Sequence, residues 1–120
     1  MILIKKFTFD AAHNLVRYKG KCERLHGHTY QLVVKLEGKP HPRDGMVMDF
    51  TDVKALVGEL VIEKLDHNYL NDTVAQSTAE NLAMWIWDRL APAFRARKLK
   101  LLEIELWETA TSGIVYRKGR

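Results

Sequence analysis

The chain has 120 residues, a length that suits one domain over residues 1–120 and leaves little room for a second. Its net charge of +4 is mild and is not gathered into a basic tail, so we expect no nucleic-acid partner. One cysteine rules out an internal disulfide, and no run approaches the roughly 20 apolar residues of a membrane helix. We therefore expect a cytoplasmic protein with no membrane contact.

Two strands are predicted in the first third of the chain. Residues Ile2 to Phe9 are rich in β-branched and aromatic types, which favour a strand. From His28 to Glu37 apolar and polar residues alternate, which is typical of a strand with one buried face. The connection between them, residues 11–27, is long for a hairpin, and long loops in compact domains are often functional.

Two helices are predicted in the middle of the chain. Apolar residues recur at helical spacing from Val53 to Val61, after a cap at Asp49 or Thr51, and this helix ends near Asp66. The second helix is predicted to begin at Ser77, because Glu80 three residues later completes a capping box. Pro92 is expected to kink or stop it.

The last part of the chain predicts two further strands. Leu102, Ile104 and Leu106 alternate with less apolar residues, and residues 112–118 form a short fourth segment. The order β-β-α-α-β-β predicts an α+β fold, with an antiparallel four-stranded sheet and two helices on one face.

Three of the five histidines occur near predicted strand ends. His26 and His28 are two residues apart, so both side chains point to the same side of an extended chain. His13 follows the first strand, which is expected to pair with the second. Three imidazoles leave one open position on a tetrahedral zinc ion, as catalytic zinc sites do, whereas structural sites usually close with four ligands. The pattern predicts a Zn²⁺ site, against the alternative of ordinary polar histidines.

Cys22, Asp66 and His67 are candidates for proton transfer. Cys22 lies in the long loop beside basic residues that would favour its thiolate, and Asp66 and His67 follow the first helix. Such groups are recognised by geometry rather than spacing, so a core cysteine and a helix-end aspartate remain alternatives.

Glu108 ends the apolar face of the third predicted strand. A carboxylate at that position needs hydrogen-bond donors, and the paired N–H groups of a guanidine-like edge would satisfy it through two bonds. Pterins and guanines carry such an edge. A solvated glutamate at the rim of the sheet is the alternative.

Six segments together identify a family. The sequence resembles the 6-pyruvoyl-tetrahydropterin synthase / 6-carboxytetrahydropterin synthase family over nearly its whole length, and the gap between Cys22 and His26 is similar to that of the queuosine-pathway branch. The segments are His13, CERLHGH (22–28), MDF (48–50), LDHNYL (65–70), STAEN (77–81) and WET (107–109).

The resemblance implies a tunnelling fold, in which the sheets of several subunits close an oligomeric barrel, as a trimer or a hexamer. It implies that the substrate is a pterin triphosphate and that Glu108 anchors the pterin, with Thr78 nearby. It also implies zinc at the three histidines and proton transfer by Cys22, Asp66 and His67.

The activity implied most directly is the zinc-dependent lyase reaction that forms 6-carboxy-5,6,7,8-tetrahydropterin from 7,8-dihydroneopterin triphosphate, with release of acetaldehyde and triphosphate. The alternatives are the pyruvoyl-forming synthase and cleavage of the dihydroneopterin side chain, for which Glu23 beside Cys22 would act. A non-catalytic pterin or purine binder with the same fold is a further alternative.

Overall fold

Four antiparallel strands form one sheet in the order β1-β2-β3-β4. The computed structural model describes residues 1–16, 18 and 23–119. The strands are β1 (Ile2–His13), β2 (His26–Glu37), β3 (Lys100–Thr109) and β4 (Ser112–Tyr116). The helices lie in sequence between β2 and β3, so the predicted element order and the α+β class are confirmed.

The hairpin of β1 and β2 is longer than the sequence predicted. β1 continues four residues beyond Phe9, and His13 is its last residue rather than a loop residue after it. β2 begins at His26 instead of His28. The pairing places His13 opposite His26 and Ala11 opposite His28. The strands extend because pairing with each other supplies backbone hydrogen bonds to residues whose propensity alone does not predict a strand.

The first helical segment runs without a break over residues 50–65 but changes its winding. It begins with α1 (Phe50–Val57), widens to a π-helical turn at Gly58–Ile62, and ends with the short α2 (Glu63–Leu65). Asp49 is the N-cap, and its side chain accepts a hydrogen bond from the Thr51 backbone N–H. Apolar spacing does not reveal a π turn, which inserts one extra residue into the helix.

The second helix, α3 (Ala79–Arg95), begins two residues later than the predicted start at Ser77. Thr78 is its N-cap and accepts from the Asn81 backbone N–H, so the predicted capping box of Ser77 and Glu80 is wrong. Ser77 is buried instead and contacts His13. Pro92 does not stop the helix, which continues to Arg95.

The helices cover one face of the sheet and enclose the core. α1 packs against β1, and α3 packs against β3 and β4. None of the helices in the described part of the chain has the length and apolar character that a membrane crossing requires. The buried side chains of the core include Tyr30, Leu32, Val34, Leu36, Val53, Val57, Val61, Leu65, Leu82, Ile86, Leu90, Phe94, Leu101, Ile104 and Leu106.

A bulge in β3 changes which side chains reach the core. Lys35 of β2 is opposite Glu103, whereas Leu36 is opposite Leu101, so Leu102 has no partner in this ladder. Leu101 is consequently buried and Leu102 is only partly buried, which corrects the predicted alternation. From Ile104 to Glu108 the predicted alternation holds, and Glu108 lies beside His28 at the end of the sheet.

Candidate metal centre

The three histidines of the predicted metal site meet at the loop end of the β1–β2 hairpin. Each offers one ring nitrogen, and these nitrogens lie within 4.8 Å of one another. His13 is buried and the other two are partly buried. The antiparallel register brings them together, because His13 faces His26 directly and His28 follows two residues later on the same face.

Hydrogen bonds to backbone carbonyls fix the protonation of two of the rings. His13 Nδ1 lies 2.8 Å from the Ser77 carbonyl oxygen, and His26 Nδ1 lies 2.8 Å from the Arg24 carbonyl oxygen. A carbonyl only accepts, so in the neutral rings each Nδ1 carries the proton and each Nε2 has a free lone pair. The two Nε2 atoms are nevertheless 3.1 Å apart.

Two lone pairs at that separation repel unless a positive charge lies between them or beside them. A divalent cation supplies that charge, and imidazole nitrogens with the opposite nitrogen bonded to a carbonyl are typical zinc ligands. The geometry and the chemistry of these donors therefore fit a zinc ion, consistent with the metal site typical of the family that the sequence resembles.

His28 completes the cluster from a partly buried position. Its Nε2 is buried and has no hydrogen-bond partner among the described residues. Burial is the main cause that lowers the pKa of His28, and Glu108 partly opposes it. A lowered pKa favours the neutral ring, which is the form that binds a metal. Glu108 Oε1 lies 3.3 Å from His28 Nε2, so the carboxylate stands at the edge of the cluster.

A small pocket of about 180 Å³ lies beside the histidines. Its lining includes His13, His26, Thr78 and Glu108, with Glu80 at the start of α3. Two of the three residues predicted to bind metal and both residues predicted to bind substrate thus share one concave surface. Thr78 reaches it because it caps α3, whose first turn forms one wall.

Asp66 and His67 form a pair beside β1, next to Asp10. Asp66 Oδ1 is 3.0 Å from His67 Nδ1 and accepts a hydrogen bond of 2.9 Å from the Asp10 backbone N–H. The Asp10 N–H is the main cause that lowers the pKa of Asp66, followed by contact with His67. His67 lines a larger pocket of about 610 Å³ together with His28.

Two further residues in the loop after β1 bear on the site. Cys22 lies outside the described residues. Glu23 is described, and its Oε1 lies 3.4 Å from His26 Nδ1 on the rim of the small pocket.

Two side chains behind His13 are not predicted from the sequence. The sequence pattern predicts Ser77 as a helix cap and assigns no role to Asn71, yet Ser77 Oγ bonds to Asn71 Oδ1 at 2.9 Å directly behind His13. Helix caps use the same small polar residue types, so the residue types alone do not distinguish this role.

Comparisons with known proteins agree with this geometry. Residues 2–119 match the family model described as 6-pyruvoyl tetrahydropterin synthase. The 6-carboxy-5,6,7,8-tetrahydropterin synthase of Synechocystis is 40% identical, over 99% of this chain and 95% of that protein. The 6-pyruvoyl tetrahydrobiopterin synthase of Dictyostelium discoideum is 35% identical, over 98% of this chain and 96% of that protein.

The fold has a close structural counterpart as well. The 6-pyruvoyl tetrahydropterin synthase of Caenorhabditis elegans superposes with a TM-score of 0.84 at 28% identity, covering 99% of this chain and 96% of that one. Sequence and structure agree over almost the full length, and the candidate histidine cluster lies within the matched region. The chain belongs to the 6-pyruvoyl tetrahydropterin synthase family of pterin lyases.

Proposed function

We propose that the protein is a zinc-dependent lyase that converts 7,8-dihydroneopterin triphosphate and one water molecule into 6-carboxy-5,6,7,8-tetrahydropterin, acetaldehyde and triphosphate, a reaction of queuosine biosynthesis. The observation that carries the proposal is the pair of unprotonated Nε2 atoms 3.1 Å apart in a pocket that also contains Glu108. The gap between Cys22 and His26, which is similar to that of the queuosine-pathway branch, favours this product. Overall identity does not decide it, since a carboxy-forming relative is 40% and a pyruvoyl-forming relative 41% identical.

In this proposal His13, His26 and His28 hold the zinc ion. When bound, zinc is a Lewis acid that polarises an oxygen of the substrate side chain and makes the neighbouring C–H group more acidic. The three rings are suited to this task because they come from two paired strands, which hold the ligands more rigidly than loops do.

Cys22, Asp66 and His67 move protons in the proposed reaction. Asp66, with its lowered pKa, stays ionised and keeps the His67 proton on Nδ1 through the 3.0 Å contact. The His67 Nε2 atom can then accept or donate a proton at the substrate. Cys22 is assigned the complementary base, from its position four residues before His26.

Glu108 and Thr78 bind the pterin in the same proposal. The Glu108 carboxylate borders the small pocket and has an oxygen free to accept from a guanidine-like edge, since its one ion-pair contact among the described residues is to His28. Two parallel N–H···O bonds to a carboxylate orient a planar ligand. Thr78 lies across the pocket at the start of α3.

Substituting Glu108 tests the binding role without requiring turnover. Glu108→Gln replaces an acceptor-only group with an amide that offers one acceptor, so we expect neopterin binding to weaken about 10–100-fold, as for loss of a charged hydrogen bond. Neopterin fluorescence titration measures this. Glu59→Gln, at an exposed position of the π turn, is the matched control. Equal affinity in Glu108→Gln and the native protein would contradict the role of Glu108.

The product distinguishes the leading activity from its alternative. The similarity to a pyruvoyl-forming synthase at 35% identity makes 6-pyruvoyl-tetrahydropterin the second candidate. Mass spectrometry of the products from 7,8-dihydroneopterin triphosphate should detect 6-carboxytetrahydropterin together with acetaldehyde. Detection of 6-pyruvoyl-tetrahydropterin instead would favour the alternative, and binding without turnover would indicate a pterin-binding module.

A further inference from the structure

A chain of hydrogen bonds connects His13 to a side chain that does not touch the metal cluster. The chain runs from His13 through Ser77 to Asn71, and Asn71 also bonds to the segment that follows β1. Ser77 is fully buried, and Asn71 is partly buried. Each bond in the chain has a direction that is fixed by its neighbour.

The orientation of Asn71 is set by two backbone carbonyls. Its Nδ2 donates to the Asn14 carbonyl oxygen at 2.7 Å and to the Ala75 carbonyl oxygen at 3.0 Å. Carbonyls cannot donate, so the amide nitrogen must face them. The Oδ1 atom therefore faces the other way, where it accepts from the Asn14 backbone N–H at 3.1 Å.

The same Oδ1 atom sets the direction of the Ser77 hydroxyl. Ser77 Oγ donates to Asn71 Oδ1 at 2.9 Å, which commits its only hydrogen. Its lone pairs are then directed elsewhere, and His13 Nδ1 lies 3.2 Å from Oγ and 2.8 Å from the Ser77 carbonyl oxygen. Both atoms next to His13 Nδ1 are thus acceptors, and the ring must carry its proton on Nδ1.

We infer that Asn71 is a positioning residue for the metal site: it fixes the Ser77 hydroxyl as a second acceptor beside the Ser77 carbonyl, and the two acceptors together orient the His13 ring with its Nε2 towards the zinc site. Without Asn71, the Ser77 hydroxyl can turn towards the Asn14 carbonyl oxygen 3.5 Å away or towards His13 Nδ1, so the Ser77 carbonyl alone holds the ring. A partner of this kind behind a metal-binding histidine typically changes metal affinity 10–100-fold when it is removed. The inference rests on the zinc site of the proposed function.

The test measures zinc affinity by competition with a chromophoric chelator, using the purified full chain. Asn71→Ala and Ser77→Ala should each weaken zinc binding about 10–100-fold. Because both substitutions break the same bond, the double variant should bind zinc no more weakly than the weaker-binding of the two single variants. The visible spectrum of the Co²⁺-loaded protein should shift in both single variants, since the ring that ligates the ion is no longer held in one orientation.

The matched control is Gln76→Ala. Gln76 Oε1 accepts from the Val16 backbone N–H at 2.9 Å, so it joins the same two segments of the chain but lies outside the path to His13. Its zinc affinity and Co²⁺ spectrum should equal those of the native protein.

Three results would overturn the inference: native affinity in Asn71→Ala, an equal loss in Gln76→Ala, or losses that multiply in the double variant. Ser77→Ala, the smallest change, keeps the test decisive if Asn71→Ala does not fold. If the native protein binds no zinc, the proposed metal site itself is wrong. If the native protein and its variants bind zinc equally well, the metal site stands and only the role of Asn71 is wrong.

Discussion

The ring nitrogens of three histidines determine what the loop end of the β1–β2 hairpin can bind. His13 and His26 each commit one nitrogen to a backbone carbonyl, and the remaining Nε2 atoms face each other at 3.1 Å. A bound cation relieves the repulsion between these two lone pairs, so the backbone around the rings prepares the arrangement for a metal.

Removing one ligand should empty the site. His26→Ala leaves two imidazoles, too few for tight zinc binding, so we expect the bound zinc to fall from about one ion per chain to well below half. Elemental analysis of dialysed protein measures this. His41→Ala removes a histidine whose ring accepts from the Arg43 backbone N–H in an exposed turn, and it should keep full zinc content. Full zinc content in His26→Ala would disprove the site.

At the scale of elements, periodicity predicts which strands and helices form, and contacts between segments decide their details. The sequence predicted the number, type and order of these elements because hydrophobic periodicity reports directly on them. It missed the last residues of β1, the π turn and the bulge at Leu102, because these depend on contacts between segments. The π turn illustrates this: the Leu60 carbonyl there accepts from Arg89 Nε of α3 at 3.0 Å, a partner distant in sequence.

Only some residues of the candidate site could be predicted from the sequence. The spacing of His26 and His28 and the parity of Glu108 were sufficient to bring these residues to one end of the sheet, as the register shows. The roles of Asn71 and Ser77 could not be predicted, because they depend on a contact between Ser77 and His13, which lie 64 residues apart in the sequence. The assignment of Cys22 remains a prediction.

The cap of α3 gives a stability prediction. Thr78 Oγ1 accepts from the Asn81 backbone N–H at 3.1 Å, so Thr78→Ala leaves an N–H of the first turn without this partner. We expect the free energy of unfolding to fall by about 1 kcal/mol, measured by urea denaturation at fixed protein concentration. Thr73→Ala, at an exposed position, should change it by less than about 0.5 kcal/mol. Equal stability of the two variants would contradict the capping role.

The uncovered face of the sheet carries a network of charges that predicts pH dependence. Lys35 Nζ contacts both Glu103 and Glu105, and Arg117 Nε donates to Glu103 at 2.7 Å. The hydrogen bond from Lys35 is the main cause that lowers the pKa of Glu103. As the pH falls, Glu103 is therefore protonated in the unfolded chain before it is protonated in the folded one. Its charge stabilises the fold above its ordinary pKa, and this stabilisation is lost as the pH falls through the lowered pKa.

Glu103→Gln isolates this contribution. At pH 7 we expect the variant to be less stable by about 1–3 kcal/mol, because a charged hydrogen-bond acceptor is lost from a buried position. The difference should shrink as the pH falls from about 4.5 through the lowered pKa, since the native carboxylate is then protonated. Urea denaturation from pH 7 to pH 3 measures both. A difference that stays constant with pH would refute this account.

At the scale of the whole molecule, the sheet has one covered face and two edge strands, β1 and β4. In the described part of the chain, residues 10–12 of β1 bond to the segment at residues 66–69, whereas Ile2, Ile4 and Val115 are exposed apolar residues of the edge strands. Long unprotected edges favour pairing with another chain. We therefore propose a homo-oligomer in which the edge strands of neighbouring subunits meet, and the family resemblance implies a trimer or a hexamer.

The mass in solution tests the assembly. Light scattering after size exclusion should give three or six times the 13.9 kDa of one chain. Ile4→Lys places a charge on the exposed side of an edge strand and should shift the protein towards smaller species, whereas Lys39→Glu, in the turn after β2, should not. A monomer at micromolar concentration would exclude the proposed assembly.

The pairing of His13 with His26 also bears on how this protein can change over evolution. The ladder between the strands aligns the ligands, so the segment between Asn14 and Arg24, whose backbone groups serve the site, can lengthen, shorten or exchange its chemistry without disturbing them. A slip of one position in the ladder, by contrast, would turn alternate side chains to the opposite face and separate the three rings. New reactions in such a scaffold are therefore expected to arise by rewriting the connecting segment, while the strands that carry the ion are inherited unchanged.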